Sequence, residues 1–200
     1  MVVKMSYVII ITIDMLLIMG INALLAYLDI INSFSVQYAL LAPIYNLALI
    51  LLIESIIAAF IHFVLPSKLF SPYRKRFKVF EWEKKFYESI HIRKWKDIVP
   101  DAGQLCNFKK DKLKGTETEY LYKFLVEACY ADSIHFWMGI GGFSILFFNI
   151  NKPIAMLTIA LPIAFFSLIL NLLPMVIQRY NRPKLLRVYE RQLRKEQASE

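Results

Sequence analysis

The sequence predicts an all-α integral membrane protein with about four transmembrane helices, arranged as two hairpins around a cytoplasmic amphipathic or helical insert. Of its 200 residues, 58% are hydrophobic, and the mean hydropathy is +0.47. The apolar residues are concentrated in four long runs, and the charged residues lie between and after them. A helix needs about 20 apolar residues to cross the hydrocarbon layer, so runs of this length predict membrane spans.

The four predicted spans cover about residues 5–28, 38–65, 133–150 and 154–177. The first run is longer than the apolar core of a signal peptide, which is about 7–15 residues, and no clear small-residue cleavage site follows it. It is therefore predicted to stay in the membrane. The predicted division is an N-terminal transmembrane hairpin (1–65), a basic cytoplasmic or interfacial segment (66–132), a C-terminal transmembrane hairpin (133–177) and a basic cytoplasmic tail (178–200).

Lysine and arginine predict the orientation. Residues 66–116 carry fourteen of them and the tail from Gln178 carries seven, whereas the turn between the first two spans has none. The turn between the last two spans has only Lys152. Basic flanks stay in the cytoplasm, so both termini and the insert are predicted to be cytoplasmic. The formal charge of +8 is explained by these flanks, and no nucleic acid is expected as a partner.

The insert is predicted to be folded, because its charges are interleaved with aromatic residues that disordered segments lack. Such a pattern suits a helix in the headgroup zone or a cap on the membrane helices. A further helix is predicted from Thr116, with Glu119 at the capping-box spacing, running on into the third span. Pro183 is expected to end or kink the fourth helix.

One candidate catalytic cluster lies at the start of the third span. On a helix, Glu127, Ala131 and His135 share one face, and Asp132 lies three residues before His135. A carboxylate beside a histidine fixes its tautomer and raises its basicity, as a general base requires. The alternative is an interfacial histidine satisfied by its own helix. With one good nitrogen ligand, no metal site is expected.

Two further clusters are candidates for substrate binding. Arg93, Lys94 and Lys96 surround Trp95 and suit a phosphate, or else a positive membrane flank. Asp101 and Gln104 follow in a predicted turn that could supply an acceptor or an amide. The second cluster is the segment QRYNRPKL, which by itself resembles a stop-transfer flank. Its candidate substrate-binding residues are Gln178, Arg179, Tyr180, Asn181 and Arg182. The two arginines are placed to grip one anion.

Polar residues inside the spans are the last candidates. Asp14 and Glu54 lie near the centres of the first two spans, and Asn171 lies about two turns into the fourth. Charges at such depth are costly, so they indicate either function or hydrogen bonds between helices. Asn171 is predicted to face the site. The glycines of MGIGG are predicted to allow close helix packing.

The three clusters, in this order, resemble a known family. The chain carries RKWK followed by Asp101 and the pair Gln104–Leu105, then Glu127, Ala131–Asp132, Ile134–His135 and Trp137, and finally Asn171 and QRYNRPKL. This pattern resembles the glycosyl-4,4'-diaponeurosporenoate acyltransferase family of bacterial membrane proteins, called CrtO-type. The similarity covers roughly residues 66–186. The chain departs from the family pattern at Asp132, where Glu is expected, and at the extra Phe136.

The resemblance implies transfer of a fatty acyl group to a sugar hydroxyl of a lipid-like acceptor, such as a glycosylated carotenoid acid, at the bacterial cytoplasmic membrane. The expected donor is acyl-CoA or acyl carrier protein, with no tightly bound cofactor. The expected partners are membrane lipid, the glycosylated acceptor and the acyl donor. Two alternatives stay open: another membrane-surface transferase or reductase, such as an S-adenosylmethionine-dependent methyltransferase, and a non-enzymatic scaffold of an envelope-lipid complex.

Overall fold

The described part of the chain is helical. The computed structural model describes residues 7–31, 34–99 and 117–198, and none of these residues lies in a β-strand. Four helical stretches are long and apolar enough to cross a membrane: Tyr7–Tyr27, Val36–Val64, Thr118–Phe148 and Pro153–Gln197. The predicted all-α class with four such helices is confirmed. The hairpin arrangement and the division into four segments stay predictions.

The long helical stretches combine α-helix with short 3₁₀-helical or π-helical turns. α1 is Tyr7–Tyr27, and α2 is Val36–Ala59, which continues as a π-helical turn over Phe60–Val64. α5 is Thr118–Gly141, and a 3₁₀ turn at Gly142–Ser144 leads into α6, Ile145–Phe148. The predicted helix therefore does run on into the third span, whereas its predicted cap Thr116 lies outside the described residues. The chain ends with α7 at Pro153–Ala155, a π-helical turn at Met156–Ala160 and α8 at Leu161–Gln197.

Residues 67–95 of the insert form short helical elements. Two 3₁₀ turns, Ser67–Phe70 and Lys75–Phe77, precede α3 at Glu81–Ser89 and α4 at Ile92–Trp95. α3 begins where the Glu83 side chain accepts a hydrogen bond from the backbone N–H of Phe80. Such a bond satisfies one of the donors that a helix start leaves without a partner.

The expectation that Pro183 ends the fourth helix is wrong in part, because α8 runs through both Pro174 and Pro183 to Gln197. A proline inside a helix removes one backbone hydrogen bond and costs about 3 kcal/mol or more. Contacts of the preceding residue offset this cost. Arg182 donates hydrogen bonds to the Phe77 carbonyl at 2.9 Å and to Asp132 at 2.6 Å. These bonds hold the helix in place across the proline.

The chain divides into two compact units. The polar unit comprises Met1–Lys4, Phe60–His135 and Leu173–Glu200, and it contains most of the charged residues. The apolar unit comprises Met5–Ala59 and Phe136–Leu172. Many large apolar side chains of the apolar unit lie on its surface, including Leu16 at 63% and Phe147 at 75% exposure. A surface of this kind suits hydrocarbon rather than water.

The core of the apolar unit combines aliphatic packing with buried amides. Ile50, Ile145 and Ile159 are almost completely buried together. The Asn149 side-chain amide donates to Asn46 Oδ1 at 2.8 Å, and both residues are buried. Hydrogen bonds of this kind join membrane helices at a buried contact, where an unpaired amide would be costly.

The MGIGG glycines lie where other side chains approach closely. A β-carbon on Gly139 would lie 3.0 Å from the Leu168 side chain, and one on Gly142 would lie 3.1 Å from Ile50. A β-carbon on Gly141 would overlap Ile57. The prediction that these glycines allow close packing is therefore confirmed.

Candidate functional site

The polar unit is centred on a buried pair between α3 and α8. The Arg179 guanidinium donates from Nε to Glu83 Oε2 and from Nη2 to Glu83 Oε1, both at 2.8 Å. The side chains are only 16% and 5% exposed. Two parallel charge-assisted bonds of this kind fix both the distance and the orientation of the partners.

Asp132 on α5 extends this pair into a network of four charged groups. Its Oδ2 accepts from Arg179 Nη1 at 3.3 Å and from Arg182 Nη2 at 2.6 Å. Arg182 is 2% exposed, and its Nη1 also donates to the Phe77 carbonyl. Two arginines and two carboxylates give this network no net formal charge, which lowers the cost of burying it. We call Glu83, Asp132, Arg179 and Arg182 the ion network.

Hydrogen bonds set the protonation of the carboxylate on α3. Burial raises the pKa of Glu83, but hydrogen bonds from Arg179, from the Tyr87 hydroxyl at 2.9 Å and from the Phe80 N–H outweigh it. The pKa of Glu83 is therefore lowered from its usual range, and the carboxylate is charged at neutral pH. Burial, together with the hydrogen bond to Glu83, raises the pKa of Tyr87 to about 12.

The RKWK segment contacts α8 at the exposed edge of the polar unit. Arg93 Nε donates to the Tyr180 hydroxyl oxygen at 2.9 Å, and Lys184 Nζ donates to the same oxygen at 3.3 Å. Trp95 is half-buried, and its Nε1 donates to the Ile90 carbonyl. Lys94 is exposed, and Lys96 forms a salt bridge with Asp97 at 3.3 Å. The structure thus brings the RKWK cluster and the QRYNRPKL cluster together.

The predicted base lies on the same helix as one member of the ion network, Asp132. α5 is continuous from Glu127 through Asp132 to His135, so the helical spacing assumed from the sequence is present. Glu127 and His135 are half-buried, whereas Asp132 is 5% exposed. The Asp132 carboxylate accepts from two arginines. These two bonds hold the Asp132 carboxylate in place, about one helical turn before His135.

The other predicted site residues lie on α8 of the polar unit, in the apolar unit or outside the described residues. Gln178 and Asn181 are half-buried on α8. Asn171 belongs to the apolar unit, where its amide nitrogen donates to Glu54 Oε1 at 3.2 Å and the Ser167 hydroxyl bonds to the same carboxylate. Glu54 therefore has partners on α8, as the hydrogen-bonding alternative predicts. Asp101 and Gln104 lie outside the described residues.

Sequence reasoning missed Glu83, Tyr87 and Phe77. Glu83 lies among exposed charges in a basic segment, and its partner Arg179 is 96 residues away. The available signal was the i, i+4 spacing of Glu83 and Tyr87 on an amphipathic helix, where a carboxylate shares a face with a buried aromatic. Within residues 7–31, 34–99 and 117–198, no group of three or more His, Cys, Asp or Glu side chains is placed to hold a metal ion.

The family relationship is decided by the match to a family model. The model described as glycosyl-4,4'-diaponeurosporenoate acyltransferase matches residues 66–191, which include the ion network, RKWK and His135. The chain belongs to this family. As a member of the glycosyl-4,4'-diaponeurosporenoate acyltransferase family it is an acyltransferase, and the corresponding prediction is confirmed.

Curated relatives carry the same name. A protein of Staphylococcus haemolyticus is 27% identical over 66% of this chain and 76% of its own length. A protein of Staphylococcus aureus strain USA300 is 32% identical over 64% of this chain and 78% of its own length. Both are named glycosyl-4,4'-diaponeurosporenoate acyltransferase. No solved structure matches the chain.

Proposed function

We propose that the protein transfers a fatty acyl group from a thioester donor to a sugar hydroxyl of a glycosylated carotenoid acid. The observation that carries the proposal is the family match, which covers the polar unit almost completely. The relatives' name specifies a glycosyl diaponeurosporenoate acceptor. The four apolar helices support a membrane location that suits a long apolar acceptor.

In the proposed reaction His135 acts as the general base. Its imidazole takes the proton from the sugar hydroxyl while the hydroxyl oxygen attacks the thioester carbonyl. The tetrahedral intermediate then collapses to the ester, and the leaving thiolate receives the proton from the imidazolium. Asp132 and Glu127 lie on the same helix, and they orient the ring and stabilise its charge. Gln178, Tyr180 and Asn181 are the proposed donors to the oxyanion.

The exposed cations of RKWK are the proposed ligands of the donor's phosphates. Arg93 and Lys94 are exposed, and Trp95 lies between these residues and Lys96 with its ring half-buried. The acyl-CoA or the prosthetic group of acyl carrier protein supplies the phosphates. Asp101, Gln104 and Asn171 stay substrate-binding predictions from the sequence; the first two lie outside the described residues, and the Asn171 amide donates to Glu54.

For Arg179 and Arg182 the geometry favours a positioning role over the phosphate grip expected from the sequence. Both guanidinium groups already bond to carboxylates of the protein, and Arg182 is 2% exposed. Binding a phosphate would require breaking a buried ion pair, which costs about 3–5 kcal/mol. We assign these arginines to holding Asp132, and with it the His135 turn of α5, against α3 and α8.

The proposed location is the cytoplasmic membrane, with both termini and the polar unit on the cytoplasmic side. The distribution of lysine and arginine supports this orientation. It places the polar unit where a cytoplasmic acyl donor reaches it. The apolar acceptor would enter from the bilayer.

Comparative lipid mass spectrometry tests the proposed function. Cells lacking the gene are compared with cells that express the wild type, His135→Ala or the control His62→Ala. His62 is an exposed histidine packed against Tyr130. We expect the acylated glycolipid to disappear on deletion, its unacylated precursor to accumulate, and only the wild type and His62→Ala to restore the product.

Two results would contradict the proposal. Unchanged lipids after deletion would remove the acyltransferase assignment for this acceptor. Full restoration by His135→Ala, at wild-type levels of protein in the membrane, would remove the proposed base while leaving the activity.

A further inference from the structure

A cleft lined in part by Arg182 lies within the polar unit. Its volume is about 350 Å³, and it is lined by the 72–84 segment and by α8. This volume falls within the range of about 300–1,000 Å³ that is typical of small-molecule sites. The family match assigns no ligand to it, and among the described candidate residues of the sequence only Arg182 lines it.

The lining of the cleft combines apolar and basic residues. Phe77, Val79, Leu186 and Pro183 supply apolar surface, and Lys78 and Lys84 are exposed cations that line it. Lys84 also pairs with Glu81 at 2.5 Å on the surface, and Glu190 contributes one carboxylate to the lining. An apolar lining that also carries exposed cations fits an amphiphile that has an anionic end.

Arg182 is common to the cleft and the ion network. It lines the cleft, and its Nη2 donates to Asp132 at 2.6 Å. Its Nε is buried and has no hydrogen-bond partner among the described residues. A buried guanidinium N–H without a partner is costly. Because Arg182 lines the cleft, an occupant would contact the arginine that holds Asp132.

We propose that this cleft binds a phosphate-bearing amphiphile, with its phosphate at Lys78 and Lys84 and its apolar part against Phe77 and Leu186. Two molecules offer this chemistry: the thioester donor of the proposed function, whose phosphates would then lie in this cleft and not at RKWK, and an anionic phospholipid of the membrane. The first identity rests on the proposed function, whereas the site itself does not. Binding without turnover is therefore the appropriate measurement.

The test is isothermal titration calorimetry of the purified full chain in a neutral detergent. The two probes are octanoyl-CoA and dihexanoylphosphatidylglycerol. The charge variant is Lys78→Ala/Lys84→Ala, and its matched control is Lys75→Ala/Lys85→Ala, which removes two exposed lysines that do not line the cleft. The filling variant is Leu186→Trp, with Val188→Trp as its control because Val188 is 42% exposed and outside the lining.

We expect at least one probe to bind the wild type and both controls alike, and to bind the charge and filling variants at least tenfold more weakly. Loss confined to octanoyl-CoA identifies the donor, and loss confined to the phosphatidylglycerol identifies membrane lipid. Equal loss in the lysine controls would show unspecific charge attraction and overturn the site. Unchanged affinity in both cleft variants, or no binding of either probe to the wild type, would also overturn it. The charge variant keeps the test decisive if Leu186→Trp fails to fold.

The outcome is separable from that of the proposed function. If the cleft variants bind normally while His135→Ala abolishes acyl transfer, the cleft proposal fails and the proposed function stands. If the probes bind as expected but no acylated glycolipid depends on the gene, the site stands and the proposed reaction fails.

Discussion

Glu83 and Arg179 lie 96 residues apart in sequence and meet in a two-bond ion pair with both N–O distances at 2.8 Å. The pair joins α3 of the insert to α8. Asp132 joins α5 to the same arginine at 3.3 Å. One guanidinium group of α8 is therefore bonded to side chains of both α3 and α5.

Glu83→Gln tests how much this pair stabilises the fold. Removing one partner of a buried ion pair leaves the other charge poorly compensated and costs about 3–5 kcal/mol. We expect the lower end of that range, about 3 kcal/mol, because Arg179 keeps its contact with Asp132. Thermal unfolding in detergent measures the change. Glu81→Gln is the matched control on the same helix, because Glu81 is exposed and its loss should leave the midpoint unchanged. Equal midpoints for the wild type and Glu83→Gln would contradict a stabilising role.

The pH dependence of stability tests the protonation of Glu83. Because its folded pKa is lowered, its contribution to stability is present above the unfolded value of about 4.3 and is lost as the pH falls through the folded pKa. We expect the difference in midpoint between the wild type and Glu83→Gln to be largest near neutral pH and to shrink as the pH is lowered towards 3. Unfolding scans between pH 7 and pH 3 measure it. A difference that stays constant over this range would show that the charge of Glu83 does not matter.

The buried amide pair of the apolar unit offers a separate test. Asn46→Leu removes the acceptor of the 2.8 Å bond from Asn149 and leaves that amide with fewer partners. The expected cost is about 1 kcal/mol, the scale of hydrogen bonds between membrane helices. Thermal unfolding should show non-additive effects in the pair of variants Asn46→Leu and Asn149→Leu. Thr12→Val is the control, because the Thr12 hydroxyl is exposed and bonds within its own helix. Additive costs would mean that the two amides are not coupled.

Two substitutions of Glu54 separate hydrogen bonding from chemistry. Ser167 and Asn171 both bond to its carboxylate. Glu54→Gln keeps an acceptor for these groups, so we expect it to retain near wild-type acyl transfer and stability. Glu54→Leu removes the acceptor and should lower the unfolding midpoint. Loss of activity in a stable Glu54→Gln variant would instead assign Glu54 a role in proton transfer.

The apolar runs were sufficient to predict the four long helices, because the membrane imposes a length and a composition on each one. The course of α8 was not predictable in the same way. Pro183 disfavours a helix locally, and the bonds from Arg182 to Phe77 and Asp132 that offset this cost come from residues 105 and 50 positions away. Local propensity was overridden by tertiary contacts.

The candidate site also has one part that the sequence could predict and one that it could not. The spacing of Glu127, Asp132 and His135 follows from helix geometry, and the sequence was enough to predict it. The pairing of Arg179 with Glu83 was not predictable, because the residue types on one helix do not reveal which distant carboxylate lies opposite. The sequence predicted that the two arginines of QRYNRPKL grip one anion, whereas in the structure both bond to carboxylates of the protein and Arg182 is 2% exposed. Their burial changes the role we assign to them.

The most direct test of the account is the rate of acyl transfer by the purified protein. Wild type, His135→Ala and the control His62→Ala would be supplied with a labelled acyl-CoA and the glycosylated carotenoid acid. A general base typically contributes about 10²–10⁴-fold to a rate. We therefore expect His135→Ala to lose at least about 100-fold in kcat with an unchanged unfolding midpoint, and His62→Ala to match the wild type. A stable His135→Ala protein that forms the ester at the wild-type rate would contradict the account.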